Sequence, residues 1–391
     1  MMKSKEAEKI FRLIPLSEEK IAWEAFENTL MQPIFSAMAH TEQNPVYHGE
    51  IDVLSHTKMV CEALIREPDY QRGNEREKTA LFLAALFHDI GKIKCTFLDE
   101  GVYRSPNHAR IGSVLTREIL WRDFGLCGNE EARQMRETVC QLVRCHSFPP
   151  YAMSDTDAER KMLKIASNGE LIEGFSFSPL LVLEKADILG RIGKDTEESL
   201  EKLAYCRMLA EEIGCAEAPF PFADAFSERA YFKGKTEWKE QALFNDTWGE
   251  AILLSGLPGT GKDTWISKNH PGLPTVSLDD IRKKLGVLPT ENQGRVIAAG
   301  YEAAKELLRK KQPFIWNATN ITSKMRGALI SLFEDYGSSV KTVFLETEWE
   351  EQLRRNAERE ACVPVSAIER MLGKLELPER FESERVVWET V

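Results

Sequence analysis

The chain has 391 residues, 43% of them hydrophobic and 29% charged, with a formal net charge of −11. This length exceeds one typical core and predicts two or three domains, and the composition excludes a disordered or fibrous chain. The acidic balance excludes a whole-chain positive field for nucleic acid, so any such contact must come from local basic spots.

The first residues, Met1-Met2-Lys3-Ser4-Lys5-Glu6, run straight into charged, helix-like sequence without the apolar core of a signal peptide. The longest apolar stretch, 80–87, is far too short to span a bilayer, so a cytoplasmic protein without membrane contact is expected. Eight cysteines (Cys61, Cys95, Cys127, Cys140, Cys145, Cys206, Cys215 and Cys362) are scattered with no Cys-x-x-Cys pair. Cys140 and Cys145 face differently on a helical pattern, which favours buried reduced thiols over a zinc site with His146. In a cytosolic protein the sequons at Asn245, Asn317 and Asn320 are chance matches.

From the N-terminus to about residue 230 the periodicity is helical almost throughout. Leu81, Ala84, Ala85 and His88 share one face, as do Met135, Val139, Leu142 and His146, and likewise Leu180, Leu183 and Asp187. A helical bundle would present the last residue of each stripe to its core. Asn44-Pro45, Ser105-Pro106-Asn107 and Phe148-Pro149-Pro150 mark loops. Through this region run His56, the adjacent pair His88-Asp89, His108, His146 and Asp187, which take four of the seven histidines. Histidine and carboxylate together suit transition-metal ions (Mn, Fe, Co, Ni or Zn), whereas Mg²⁺ and Ca²⁺ prefer all-oxygen sites. Gly91 is expected to end the helix so that both His88 and Asp89 turn inward. Lys92, one turn on, either holds a substrate phosphate oxygen or is a solvated surface lysine; Arg110 and Arg144 are weaker candidates. His40, His48 and His270 are assigned no special role.

Residues 218–248 change character: Pro219 and Pro221, then mixed aromatic and charged residues without clear period, read as a linker or docking segment. Strand–helix alternation follows. Short apolar runs at 251–255, 275–278, 314–317 and 340–346 suit buried parallel strands, with helical stretches at 292–311 and 323–336 between them, an α/β domain.

Directly after the first of these strands comes Gly256-Leu257-Pro258-Gly259-Thr260-Gly261-Lys262. Strand before and helix after is the context of a phosphate-binding loop: the glycines let backbone N–H groups wrap phosphate oxygens, and Lys262 reaches the β- and γ-phosphates of a nucleotide. Asp263 stands where a Ser or Thr hydroxyl normally meets Mg²⁺, and Thr264 is the adjacent substitute. Past the second strand lies Asp279-Asp280-Ile281-Arg282; Asp279 either takes a proton from an attacking hydroxyl or caps the next helix. The third strand ends in Asn317-Ala318-Thr319-Asn320, where an acidic residue would usually support Mg²⁺. Arg354, Arg355 and Arg359 are spaced like one helical face before Pro364, either a lid over the transferring phosphate or a solvated helix.

The order His…His-Asp…His…His…Asp resembles the HD phosphohydrolase superfamily, an all-α fold holding one or two metal ions. Six ligands resemble its two-metal members, which implies His56, His88, Asp89 and Asp187 as the core, Asp89 bridging, and His108 and His146 on the second ion. The loop, Asp-Asp-x-Arg, Thr-Asn and arginine lid resemble the 5′-hydroxyl polynucleotide kinases. That resemblance implies ATP (or another NTP) with Mg²⁺, Asp279 as general base, Arg282 on the acceptor's phosphate, and Arg355 and Arg359 on the transferring phosphate. Nearly the whole chain is similar to the bacterial HD-Pnk family: an HD phosphoesterase over 1–217, the linker over 218–248 and an α/β P-loop polynucleotide kinase with a parallel sheet over 249–391. Membership would imply phosphorylation of 5′-OH ends of RNA or DNA and removal of 2′,3′-cyclic, 2′- or 3′-phosphate at the other end, in repair. The ligase motif Lys-x-Asp-Gly does not occur in this sequence, so sealing would fall to a separate ligase. Rival readings are an HD nucleotidase joined to a nucleoside or metabolite kinase, a nucleotide-switched regulatory ATPase, and a toxin-like kinase. The clusters Arg282-Lys283-Lys284 and Arg309-Lys310-Lys311 count against the first rival, and the lack of an Asp-Glu Walker B pair against the second.

Overall fold

The computed structural model describes residues 5–44, 49–359 and 361–391. The extreme N-terminus, Pro45 of the first expected loop and His48 lie outside the described residues. Contacts divide the chain into two compact units, Met1–Phe220 and Pro221–Val391.

The first unit is helical, and five helices position its polar residues: α1 (Val53–Leu64), α2 (Glu75–Phe87), α3 (His108–Arg122), α4 (Glu130–Cys145) and α5 (Phe177–Leu189). Their starts are chemically marked. Asp52 accepts from the Ser55 amide at 2.9 Å, Asn129 accepts from the Ala132 amide at 2.9 Å, and Asn74 and Glu77 form a reciprocal capping box. One departure from the helical expectation is the short antiparallel hairpin β1 (Phe97–Asp99) and β2 (Val102–Arg104).

Two expected stripes are corrected. Helix α2 is buried on every side from Ala80 to Phe87, as a helix at the centre of a bundle must be, so no single face distinguishes His88. In α4, Val139 and Leu142 are buried but Met135 is half-buried, while Arg136 and Glu137 are enclosed. Glu137 receives Arg117 Nη2 at 2.8 Å and Arg136 Nε at 2.7 Å, and this pairing is what makes three buried charges tolerable.

The second unit is built on a five-stranded, all-parallel sheet: β3 (Glu250–Ser255), β4 (Thr275–Ser277), β5 (Phe314–Asn317), β6 (Ser339–Glu346) and β7 (Arg385–Thr390), in the order β4-β5-β3-β6-β7. The edge strand β7 was not expected from the sequence. Alternate residues of each central strand enter different cores: Ala251, Leu253, Phe314, Trp316 and Val340 on one face, Ile252, Leu254, Ile315, Val343 and Leu345 on the other. A sheet covered on both faces needs continuous apolar strands, which is why these runs do not alternate. Fully burying one such aromatic or branched side chain contributes about 1.5–3 kcal/mol. The connecting helices include α6 (Lys262–Asn269), α7 (Leu278–Leu285), α8 (Gly294–Arg309), α9 (Ser323–Asp335) and, after β6, α10 (Trp349–Ala357). The chain leaves β3 toward β4 on one side and returns to β6 on the other, so the strand order reverses beside β3, at the carboxyl edge where ligands bind open sheets.

Residues 221–248 belong to the second unit. Helix Ala225–Phe232, capped by Asp224, is held there by Arg229, whose Nε reaches Glu334 at 2.8 Å and whose Nη1 reaches the Phe381 carbonyl at 2.7 Å. Among the described residues no helix is long and apolar enough to cross a membrane.

Candidate active sites

The first site is assembled at helix ends. His88 and His146 are the C-cap residues of α2 and α4, His108 opens α3, His56 lies in α1 and Asp187 in α5. A helix ends with carbonyls that lack intrahelical partners. Here they orient the imidazoles: His88 Nδ1 lies 2.7 Å from the Ala85 carbonyl and His146 Nδ1 2.7 Å from the Val143 carbonyl, while His108 Nδ1 lies 3.1 Å from the Ser105 carbonyl. A carbonyl can only accept, so each Nδ1 carries the proton and each Nε2 presents a lone pair.

These lone pairs converge. His56 and His88 Nε2 are 3.2 Å apart, as are those of His108 and His146. Two triads result, His56/His88/Asp187 and Asp89/His108/His146, the ligand atoms within each lying inside 4.8 Å of one another. Asp89 faces both. Its Oδ2 lies 3.4 Å from His88 and 3.7 Å from His56, and its Oδ1 lies 3.5 Å from His108 and 3.9 Å from His146. Asp89 Oδ1 is buried without a hydrogen bond among the described residues. Opposed lone pairs beside an orphaned carboxylate oxygen repel unless cations lie among them, and this donor set fits two divalent metal ions. Asp187 and His108 are the partly exposed members, 17% and 22%, which leaves an open side.

Charge in the site follows the same pairing. Burial, then the neighbouring His108 and His88, push His146 down to about 3, so it stays neutral as a ligand must. Burial likewise lowers His108. Burial opposes ionisation of Asp89, yet Lys92 and His88 hold it well below the usual carboxylate range. Burial also opposes protonation of His56, but Asp187 and Glu50 raise it to about 9, so here it carries a second proton that a bound cation would displace.

Three features differ from the sequence reading. Gly91 has φ −63 and is not a left-handed helix end. Its role is close approach: a Cβ there would lie 2.0 Å from the His108 carbonyl oxygen, so glycine lets the His88-Asp89 turn press against the start of α3. Lys92 is buried, which removes the solvated alternative; its Nζ bonds Asp89 Oδ2 and Gln43 Oε1, each at 2.6 Å. Glu50, which nothing in the sequence singled out, places Oε1 2.9 Å from His56 Nδ1 and gives the fourth histidine the acceptor its helix position lacks. Its segment is clamped by Ile192 N on Glu50 Oε2 at 3.0 Å and Gly49 N on the Ile192 carbonyl at 2.9 Å, and directly after them Ile51 takes φ +73, strained for a β-branched residue. Arg110 is exposed and Arg144 half-buried. His40 bonds the Ser36 carbonyl of its own helix, and the His270 ring lies tilted against Trp265, centroids 5.2 Å apart. Cys140 and Cys145 are buried and form no disulfide, Cys140 pushed up to about 12 by burial.

The second site lies at the carboxyl edge of the sheet. Gly256 follows β3 with φ +151, and a Cβ there would come within 2.6 Å of the Leu345 carbonyl oxygen. Thr260 Oγ1 donates to the Leu257 carbonyl at 2.9 Å, and buried Gln352 of α10 donates to the Pro258 carbonyl at 3.0 Å, a brace the sequence did not reveal. Gly261 and Gly259 complete the turn, and Lys262 opens α6 with Nζ on the Gly256 and Leu257 carbonyls at 3.0 and 2.9 Å. Burial lowers Lys262 to about 8 against the opposing pull of Asp263. Asn317 Nδ2 donates to Asp263 Oδ1 at 2.7 Å, and Thr264 is exposed.

At the end of β4 the cap is Ser277, whose hydroxyl accepts from the Asp280 amide at 3.2 Å, so Asp279 is released from capping. Arg282, one turn on, pairs with Asp279 Oδ1, and Arg359 Nη2 approaches Oδ2 at 3.4 Å. The expected single arginine face divides. Arg354 pairs with Glu351 and Glu358 in solvent, while Arg355 Nη1 lies 3.2 Å from where a Gly261 Cβ would stand. The loop, Asp279 with its two arginines, and Asn317 thus gather at the carboxyl edge of the sheet, where ligands of open parallel sheets bind.

Comparison with known proteins agrees with this division. A family model described as HD domain matches residues 53–170, and one described as AAA domain matches residues 252–378. Asp187 lies beyond the first match and joins the site through α5. Among curated proteins, the L-seryl-tRNA(Sec) kinase of Methanococcus maripaludis is 25% identical over 134 residues, 32% of this chain and 52% of that protein. The chain thus spans about half the length of that relative. Among solved structures, a gluconokinase from Sinorhizobium meliloti 1021 is 19% identical with a TM-score of 0.27, over 36% of this chain and 82% of that one. The chain thus joins a region similar to HD domains to a region similar to AAA domains, one in each compact unit.

Proposed function

We propose that the protein heals broken nucleic-acid strands: an ATP-dependent kinase of 5′-OH ends and a phosphoesterase that clears 2′,3′-cyclic, 2′- or 3′-phosphate from the other end. The observation that carries this reading is Asp279 held between Arg282 and Arg359. A base for a hydroxyl, with Arg282 for a nearby phosphodiester on one side and Arg359 for the transferring phosphate on the other, suits an acceptor that carries its own phosphate. The distant relative supports it in kind, since its name gives an acceptor borne on tRNA.

In this reading Asp279 takes the proton of the 5′-hydroxyl as its oxygen bonds the γ-phosphorus and the bond to the β–γ bridging oxygen breaks, releasing ADP. Lys262, Arg355 and Arg359 carry the charge of the transferring group. At the HD site, divalent ions when bound would polarise the phosphoester and generate hydroxide from water. His56, His88, Asp187, Asp89, His108 and His146 would hold them. Lys92 fixes Asp89, and with two of three ammonium donors engaged it keeps one for a phosphate oxygen. The partners are RNA or DNA ends and a separate ligase, in the cytoplasm. The net charge of −11 speaks for the rival, a nucleotidase joined to a metabolite kinase.

Transfer of labelled γ-phosphate from ATP to a 5′-OH oligonucleotide, with nucleosides as competing acceptors, separates the two. Label on the oligonucleotide is expected; label on nucleosides alone would replace this reading with its rival.

A further inference from the structure

In P-loop enzymes the Mg²⁺ of the bound nucleotide is usually met by a hydroxyl on the loop's helix and supported by a carboxylate on a neighbouring strand. In this chain both positions are altered, Asp263 on the helix and Asn317 at the end of β5. The two are in direct contact: Asn317 Nδ2 donates to Asp263 Oδ1 at 2.7 Å. Asn317 is 8% exposed and belongs to a strand paired on both sides, whereas Asp263 is exposed at the loop.

We propose that acid and neutral partner have exchanged places. Asp263 supplies the carboxylate for the nucleotide's Mg²⁺, and Asn317 acts as its positioning residue by fixing Oδ1, which leaves Oδ2 for the ion. This rests on the nucleotide-binding reading above and deepens it. Either arrangement gives the site one carboxylate and one neutral oxygen or nitrogen group, so the charge offered to the ion is the same. The exchange also explains the amide. A second carboxylate within 2.7 Å of Asp263 would repel it, while an amide N–H₂ stabilises the ionised form and holds its direction. Asp263 further sustains the cationic form of Lys262 against the burial that lowers it. Thr264, the next hydroxyl along the helix, is exposed.

The test is nucleotide binding by the full chain, measured by calorimetry in EDTA and in Mg²⁺, with the paramagnetic resonance of Mn²⁺ in the ATP complex as a second readout. Wild type should bind ATP more tightly with Mg²⁺. Asp263→Asn keeps the shape and should lose that tightening by at least the roughly 10-fold that removing an outer-shell partner brings, while ATP affinity in EDTA stays or improves. The double variant Asp263→Ser with Asn317→Asp restores the usual arrangement and should regain Mg²⁺ dependence, which a merely structural tie could not predict. Thr264→Ala should bind like wild type. Wild-type Mg²⁺ dependence in Asp263→Asn, its loss in Thr264→Ala, or no rescue in a folded double variant would overturn the exchange while leaving nucleotide binding intact. Failure of wild type to bind ATP at all would overturn both.

Discussion

The two sites are built in opposite ways. In the HD site, side chains such as His56, His88 and Asp89 are 1–2% exposed and each ring is aimed by a backbone carbonyl or a buried carboxylate. In the kinase site Asp279 is 61% exposed, and its partners Arg282 and Arg359 hold it by ion pairing rather than by packing. One site is organised by the fold before anything binds. The other is organised by half-exposed ion pairs. The HD geometry should therefore respond to changes in buried partners, and the kinase site to changes in charge, salt and pH.

The contrast is broken most severely by removing the residue both triads share. Asp89→Asn should abolish phosphoester hydrolysis and lower bound metal, measured by elemental analysis, while phosphoryl transfer continues at the wild-type level. Next in size, Asp279→Asn should lower kcat for transfer by roughly 10²–10⁴-fold, the range for loss of a positioned base, and leave hydrolysis unchanged. A smaller effect sharpens the claim that the HD site is set from outside its ligands. Glu50→Gln keeps the shape but weakens the acceptor on His56 Nδ1, and metal affinity should fall roughly 10–100-fold in competition with a chelator. Smallest in the neutral range is a pH effect at the loop. Burial lowers Lys262 to about 8, below its ordinary 10.5. The cationic form binds phosphate, so ATP affinity should be flat below about pH 8 and weaken above it by at most about tenfold per pH unit. Lys262→Ala should remove that inflection along with most of the binding.

How much of this was legible in the sequence depends on which forces set each part. The parallel strands were readable because burial on both faces forces continuous apolar runs, as in Ala251–Ser255 and Phe314–Asn317. Strand β7 was not, because Arg385–Thr390 is an edge with Glu389 and Thr390 in it and lacks that run. His56, His88, Asp89, His108, His146 and Asp187 were readable as unusual polar residues in a helical region, and the fold brings all six together. Their orientation was not, since it rests on carbonyls three residues back and on Glu50, whose type and position carry no periodic signal. Gly91 was misread because a helix stop and a close approach between chain segments use the same residue. Lys92 could not be placed either: its burial depends on Gln43, far away in sequence.

In the proposed function one chain carries two independent phosphate chemistries on separate residues. A single oligonucleotide with a 5′-OH and a 2′,3′-cyclic phosphate, incubated with ATP and divalent metal, reports both ends at once by mass. Wild type should convert both ends, Asp89→Asn only the 5′ end and Asp279→Asn only the 3′ end. Loss of both conversions in either folded variant, or conversion of neither end by wild type, would contradict the account.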